Sequence, residues 1–167
     1  MEAKKILIPT DFTTQSLELV QQTLEASSDR PLQIVLVHGC YPSLSITDML
    51  FFSKTRIINQ LQSEDFVEAC KVLKNKYDSK LNSLTVDIIT SNNESYFKNY
   101  LEGNKITHTI VPNEGFLNFK KVQGIDTIAL LKNCGLPCQI VNFENQTENL
   151  NNYSKRSLAN VLLSNLK

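Results

Sequence analysis

Three sets of residues in this chain could do chemistry, and each stands at a break between apolar runs. The first lies in Lys4 to Ser16, KKILIPTDFTTQS, around Pro9, Thr10 and Asp11. Pro9 cannot donate to a sheet ladder, so a strand is expected to end there. Thr13 or Thr14 offers a hydroxyl to cap a helix whose Leu17, Val20 and Leu24 keep helical spacing. Asp11 thus falls in a strand-to-helix loop, at the strand's carboxyl end, where open α/β sheets meet their ligands. It reads either as a ligand contact or as a cap for the helix beginning near Thr13. The second set is the thiols and imidazoles. Cys134 and Cys138 have three residues between them, not the two of a redox or zinc-knuckle motif, and His38 and Cys40 lie in another segment. His38 and His108, the only histidines, have no nucleophile or carboxylate partner at motif spacing. Packed side chains, free thiols and no metal site are the expectation. The third set is Gly115 and Gly124, which flank Lys120 and Lys121 ahead of a helical pattern. Glycines let a backbone approach phosphate, and a helix N-terminus supplies N–H donors. Here, though, Asp126 places a carboxylate in the first turn, opposing an anion.

The elements that position these residues alternate regularly. Leu32 to His38 is a near-continuous apolar run, the pattern of a strand buried on both faces of a parallel sheet. Gly39 to Ser53 is mixed, compatible with a loop, a short helix or a flap. A long helical stretch follows, with Phe66, Cys70, Leu73, Tyr77 and Leu81 on one face. Leu84 to Thr90 reads as a third strand, Glu94 to Glu102 as a helix ended by Gly103-Asn104, and Thr107 to Val111 as a fourth strand. A helix from Gly124 to Asn133 and a strand from Cys138 to Phe143 complete the series. Strands alternating with helices imply a parallel sheet with right-handed crossovers. Glu144 to Asn152 is Asn-rich and linker-like. In the tail, Leu158, Val161, Leu162 and Leu166 keep the spacing of an amphipathic helix, docked either on its own domain or on a partner.

At 167 residues, 41% hydrophobic and 20% charged, the chain has the composition of one globular domain. Seventeen basic side chains balance seventeen acidic ones, so no nucleic-acid partner is expected. Lys71, Lys74, Lys76 and Lys80 fit a solvated helix face beside Glu68 and Asp78. Lys4-Lys5 is followed by too short an apolar run for a signal peptide, and no stretch approaches a membrane span. A cytoplasmic protein that does not contact membranes is the expectation.

From Lys4 to Phe143 the chain resembles the universal stress protein family. KKILIPTDFTTQS is similar to that family's first strand, with Pro9, Asp11 and Ser16 in register, and VLVHG to its second. TIVP, the following helix and PCQIV resemble its closing segment, with Gly124 thirteen residues before Pro137. The resemblance implies an open five-stranded parallel sheet in the order 3-2-1-4-5 with helices on both faces, adenine nucleotide alpha hydrolase-like. It divides the chain into a domain at 1–143 and a linker with an amphipathic helix at 144–167. Family members often form dimers through the last strand. Here Cys138 to Phe143 carries no charge to defend that edge.

Members of the family that hold ATP carry Gly-x2-Gly-x9-Gly-Ser/Thr after the fourth strand. Counting back from Gly124 reaches Glu114 and Val111 instead of glycines. A one-residue deletion recovers Gly115 but leaves Pro112 for the first glycine. Gly39 also replaces an apolar residue that the family places near the adenine. Pro9, Thr10, Asp11, Gly115 and Gly124 are therefore candidate nucleotide-binding residues of a vestigial site. ATP or AMP is disfavoured as a cofactor, and none is expected. The expected function is that of a non-enzymatic stress-response or regulatory protein, acting through a homodimer and contacts with another protein. The alternative is a nucleotide-binding regulatory module whose altered loop still accepts ATP or AMP. An adenylate-forming or pyrophosphatase-type enzyme fails for want of its Gly-rich and Ser-bearing motifs.

Overall fold

A computed structural model of the chain describes residues 4–27, 31–119 and 124–143. The apolar runs become strands. Ile6 to Pro9 in β1 (Lys4–Pro9) and nearly all of β2 (Leu32–Gly39) are buried, as strands covered on both faces must be. With β3 (Leu81–Ile89), β4 (His108–Pro112) and β5 (Cys138–Val141) they form a parallel sheet in the order β3-β2-β1-β4-β5. The expected architecture and strand order are thus observed.

Among the described residues the helices are α1 (Leu17–Ala26), α2 (Ile46–Leu50), α3 (Lys54–Leu61), α4 (Glu64–Lys76), α5 (Glu94–Gly103) and α6 (Thr127–Lys132). Because successive strand side chains point to opposite faces, the sheet feeds two cores. Ile6, Ile8, Ile34 and Leu36 share one with Leu24 of α1 and Phe66 of α4. Leu7, Val35 and Val37 share the other with Phe97 of α5 and Leu131 of α6. Helices therefore cover both faces.

Several element boundaries differ from the sequence reading, each for a local reason. The helical stretch after Ser53 is two helices. Gln62 turns extended, with ψ of 124°, and the Ser63 hydroxyl caps α4 by accepting from the Phe66 N–H. Leu81 is no helix residue but opens β3, whose pairing with β2 is bulged at Leu32/Gln33. α5 ends at Gly103 as expected, yet Lys105, at φ 54°, is the left-handed residue beyond it. α6 starts at Thr127, three residues later than expected, since Gly124 and Ile125 run extended against β2. At the β3 edge, α3 is tied by the Lys54–Asp87 ion pair at 3.0 Å. At the other edge Ile140 is 53% exposed. The linker, the tail from 144 to 167 and Lys120-Lys121 lie outside the described residues. No helix among the described residues is long and apolar enough to cross a membrane.

Candidate functional site

The loops that leave β1, β2 and β4 meet at the carboxyl ends of the central strands, where an open α/β sheet binds ligands. Their contacts begin with Thr10. Its N–H donates to the Val37 carbonyl at 2.9 Å, extending the β1/β2 ladder past Pro9. Its buried hydroxyl lies 2.9 Å from the Ser16 hydroxyl and accepts from the Phe12 N–H at 3.1 Å. Phe12 holds a left-handed backbone, φ 61°, a costly state for a bulky side chain. Burial of its ring against His38 (5.1 Å) and Phe66 (5.5 Å) offsets that cost.

Asp11 joins two loops. One carboxylate oxygen accepts from the Thr13 N–H at 3.0 Å and the Thr13 hydroxyl at 2.6 Å. The other accepts from the Asn118 N–H at 3.0 Å, in the loop after β4. Asp11 is thus not the helix cap. Thr13 takes that role, its hydroxyl accepting from the Ser16 N–H at 3.2 Å ahead of the 3₁₀ turn Thr14–Ser16.

His38, one residue before the end of β2, is fully buried. Its Nδ1 lies 2.9 Å from the Thr10 carbonyl, which can only accept, so Nδ1 carries the proton. Nε2 is then a buried acceptor without a protein partner among the described residues. Burial lowers the His38 pKa from the ordinary imidazole value, opposed by the Thr10 bond and the charge of Asp11. The ring is neutral at pH 7 and serves to join β2 to the β1–α1 loop.

The central finding concerns Gly39. The Ile125 N–H donates to the Gly39 carbonyl at 3.0 Å, and Gly124 forms an antiparallel bridge with Cys40. A Cβ on residue 39 would lie 2.7 Å from the Ile125 Cβ, closer than carbon atoms can sit. Glycine at 39 lets the segment after β4 lie directly on the end of β2. Ile125 is buried there, 2% exposed, and Asp126 caps α6 by accepting from the Ala129 N–H at 3.1 Å. The Asp126 carboxylate therefore occupies the end of α6 that would otherwise face an anion.

Pro9, Thr10, Asp11 and Gly124 therefore fall at one end of the sheet. Gly115 lies in the turn after β4, three residues beyond Pro112. It is an exposed turn residue at φ 83° with open space around its α-carbon. Beyond the 124–126 segment a groove of about 530 Å³ runs between α5 and α6, lined by Tyr41, Phe97, Lys98, Leu101 and Ile125 among others. The thiols do not converge. Cys40 is buried, which pushes its pKa up against the pull of Lys54, and Cys134 donates to the Leu131 carbonyl at 3.1 Å. Among the described residues no three His, Cys, Asp or Glu side chains group as a metal site would need. Reading the sequence missed Asn118 as the partner of Asp11 and Ile125 as that of Gly39. A glycine in an otherwise β-branched and apolar strand was the available signal for the second.

A doubly wound parallel sheet with its loops gathered at the strand ends defines the class as an open α/β protein. More particularly, this is the universal stress protein fold, UspA-like and adenine nucleotide alpha hydrolase-like. No protein-family model and no curated protein sequence matches the chain. Solved structures do. Universal stress protein UspA from Lactobacillus plantarum is 13% identical with a TM-score of 0.52, over 86% of this chain and 99% of that one. The hypothetical protein MJ0577 is 18% identical with a TM-score of 0.50, over 87% and 99%. A universal stress protein in complex with cAMP is 11% identical with a TM-score of 0.50, over 83% and 96%. At such identities the likeness is one of fold.

Proposed function

We propose that this chain is a cytoplasmic universal stress protein-like regulator without enzymatic activity, acting as a homodimer through contacts with another protein. The observation that carries this reading is the seat of Ile125 on Gly39, with its N–H on the Gly39 carbonyl at 3.0 Å. A planar ligand at the end of β2 would compete with that segment for the same backbone carbonyl. Both Asp11 oxygens also accept from the chain's own N–H and O–H groups, three bonds in all, which ties the carboxylate to the Thr13 and Asn118 loops and leaves little of its accepting capacity for a ribose hydroxyl. A phosphate-binding loop needs glycines where Val111 and Glu114 stand, or where Pro112 stands if one residue is deleted, and the carboxylate cap Asp126 opposes an anion at α6. On this reading the nucleotide motif is degenerate.

The dimer is proposed through β5. In this strand order β5 is an edge, with Ile140 exposed and no charge from Cys138 to Phe143. Pairing with its twofold copy would satisfy the free row of backbone groups isologously.

A second reading is supported by one specific observation. A protein of the same fold was solved in complex with cAMP, and the groove beside Tyr41 and Gly124 has the volume of a small-molecule site. That favours an adenylate-type ligand held against α5 and α6 instead of at the end of β2. Mass spectrometry of what the purified protein releases on denaturation separates the two. Protein free of nucleotide fits the first reading, and a stoichiometric adenylate fits the second.

A further inference from the structure

We propose that the apolar face of α2 is the docking site for the chain's own C-terminal segment, residues 158–166. Of nine exposed large hydrophobic residues among those described, seven fall between Tyr41 and Phe52. Leu44 is 93% exposed, Leu50 76% and Phe51 69%. Within α2, Ile46, Met49 and Leu50 stand at i, i+3 and i+4, one face of a helix, and none is buried. So concentrated an exposed apolar run marks an interaction surface and not a random scatter of surface hydrophobes.

The occupant is indicated by where the described chain ends. Phe143 is fixed at the carboxyl end of the sheet, its N–H on the Asn113 side chain at 2.9 Å and its ring stacked on Phe116 at 3.8 Å. α2 follows β2 at the same end of the sheet. β5 and β2 are three strand steps apart, about 14 Å. Residues 144–157 can span up to about 46 Å when extended, so the tail reaches α2 without strain. The tail's sequence carries Leu158, Val161, Leu162 and Leu166 at helical spacing, the pattern that lays an apolar face on another.

Size argues for a tethered partner over a second copy. The run from Tyr41 to Phe52 is twelve residues, whereas a stable interface between separate chains takes about 20–30 residues a side. A short tether supplies an effective concentration in the millimolar range, so a small patch suffices within one chain.

Hydrogen–deuterium exchange on the full-length chain tests this, comparing the wild type with Leu158→Asp/Leu162→Asp at two protein concentrations a hundredfold apart. Amides of residues 46–52 are expected to exchange about tenfold or more slowly in the wild type than in the variant, equally at both concentrations. Met49→Asp is the reciprocal probe, expected to speed exchange at residues 158–166 to the same degree. Equal exchange in wild type and variants overturns the proposal and leaves α2 for an outside partner. Protection that disappears on dilution overturns it in favour of a second copy.

Discussion

Replacing Gly39 by alanine asks whether the segment after β4 truly lies on β2. The added Cβ would stand 2.7 Å from the Ile125 Cβ, 3.1 Å from the Ile125 carbonyl oxygen and 3.4 Å from its Cα. Carbon atoms rest at about 3.5–4.0 Å, so the two segments must part by about 1 Å. Two of those three atoms are backbone, so rotating a side chain cannot relieve the contact. Overpacking of this kind costs about 1–3 kcal/mol. Weakening the bond from the Ile125 N–H adds about 1 kcal/mol. We expect Gly39→Ala to destabilise the protein by about 2–4 kcal/mol, moving a urea midpoint down by about 1–2 M. The decisive control is the same change in an Ile125→Gly background. That background is itself destabilised, because it removes a buried side chain. With the 2.7 Å contact gone, Gly39→Ala should then cost under about 1 kcal/mol, giving a coupling of at least about 1 kcal/mol. Urea unfolding followed by circular dichroism on the four proteins of the cycle measures it. A neutral Gly39→Ala, or strictly additive changes, would refute the packing of Ile125 on Gly39.

Other outcomes follow from the same contacts. Asp11→Ala leaves the Thr13 and Asn118 N–H groups without their acceptor, and should cost about 1–2 kcal/mol, a fall of about 3–6 °C in Tm by calorimetry. An unchanged Tm would mean the two loops are not joined through it. His38 has its pKa lowered in the folded state, so below about pH 6.5 the unfolded chain binds the proton first. Its contribution is fully present above that pH and is lost as pH falls toward the folded-state value, with a slope of at most about 1.4 kcal/mol per pH unit. His38→Asn, which can still donate to Thr10, should flatten urea-derived stability between pH 7 and 5. Some slope will remain from His108, whose pKa is also lowered by burial. An identical profile in the variant would contradict the neutral buried imidazole. Ile140→Lys places a charge on the β5 edge and should convert a dimer to a monomer in light scattering. A wild-type monomer, or a variant that remains dimeric, would remove β5 as the seam.

The fold was legible because its signals are local and repeated. Apolar runs bounded by Pro9, Pro31 and Pro137 mark strands, and alternation with helical spacing implies the parallel sheet. Where a boundary slipped, a tertiary contact had overridden a weak local signal. The periodicity from Phe66 to Leu81 passes smoothly through Tyr77, although the helix ends at Lys76 and Leu81 joins the sheet. The break at Ser63 was readable, since a serine followed by Glu64 and Asp65 is a helix start. The candidate site was legible only in part. Asp11 could be placed at a strand end, but no spacing rule predicts that its second oxygen meets Asn118, 107 residues away. Gly39 and Ile125 are likewise distant in sequence, and only the folded chain brings them together. Phe12 at φ 61° had no sequence warning, because a phenylalanine is a rare occupant of that region.

Titration calorimetry with Mg-ATP on the full-length wild-type protein tests the closed crevice most directly. With Ile125 on Gly39 and Asp126 capping α6, no binding heat is expected at nucleotide concentrations up to the tens of micromolar. A low-micromolar Kd, about −7 to −8 kcal/mol, would contradict it and show that an adenine nucleotide displaces the 124–126 segment or binds beside it.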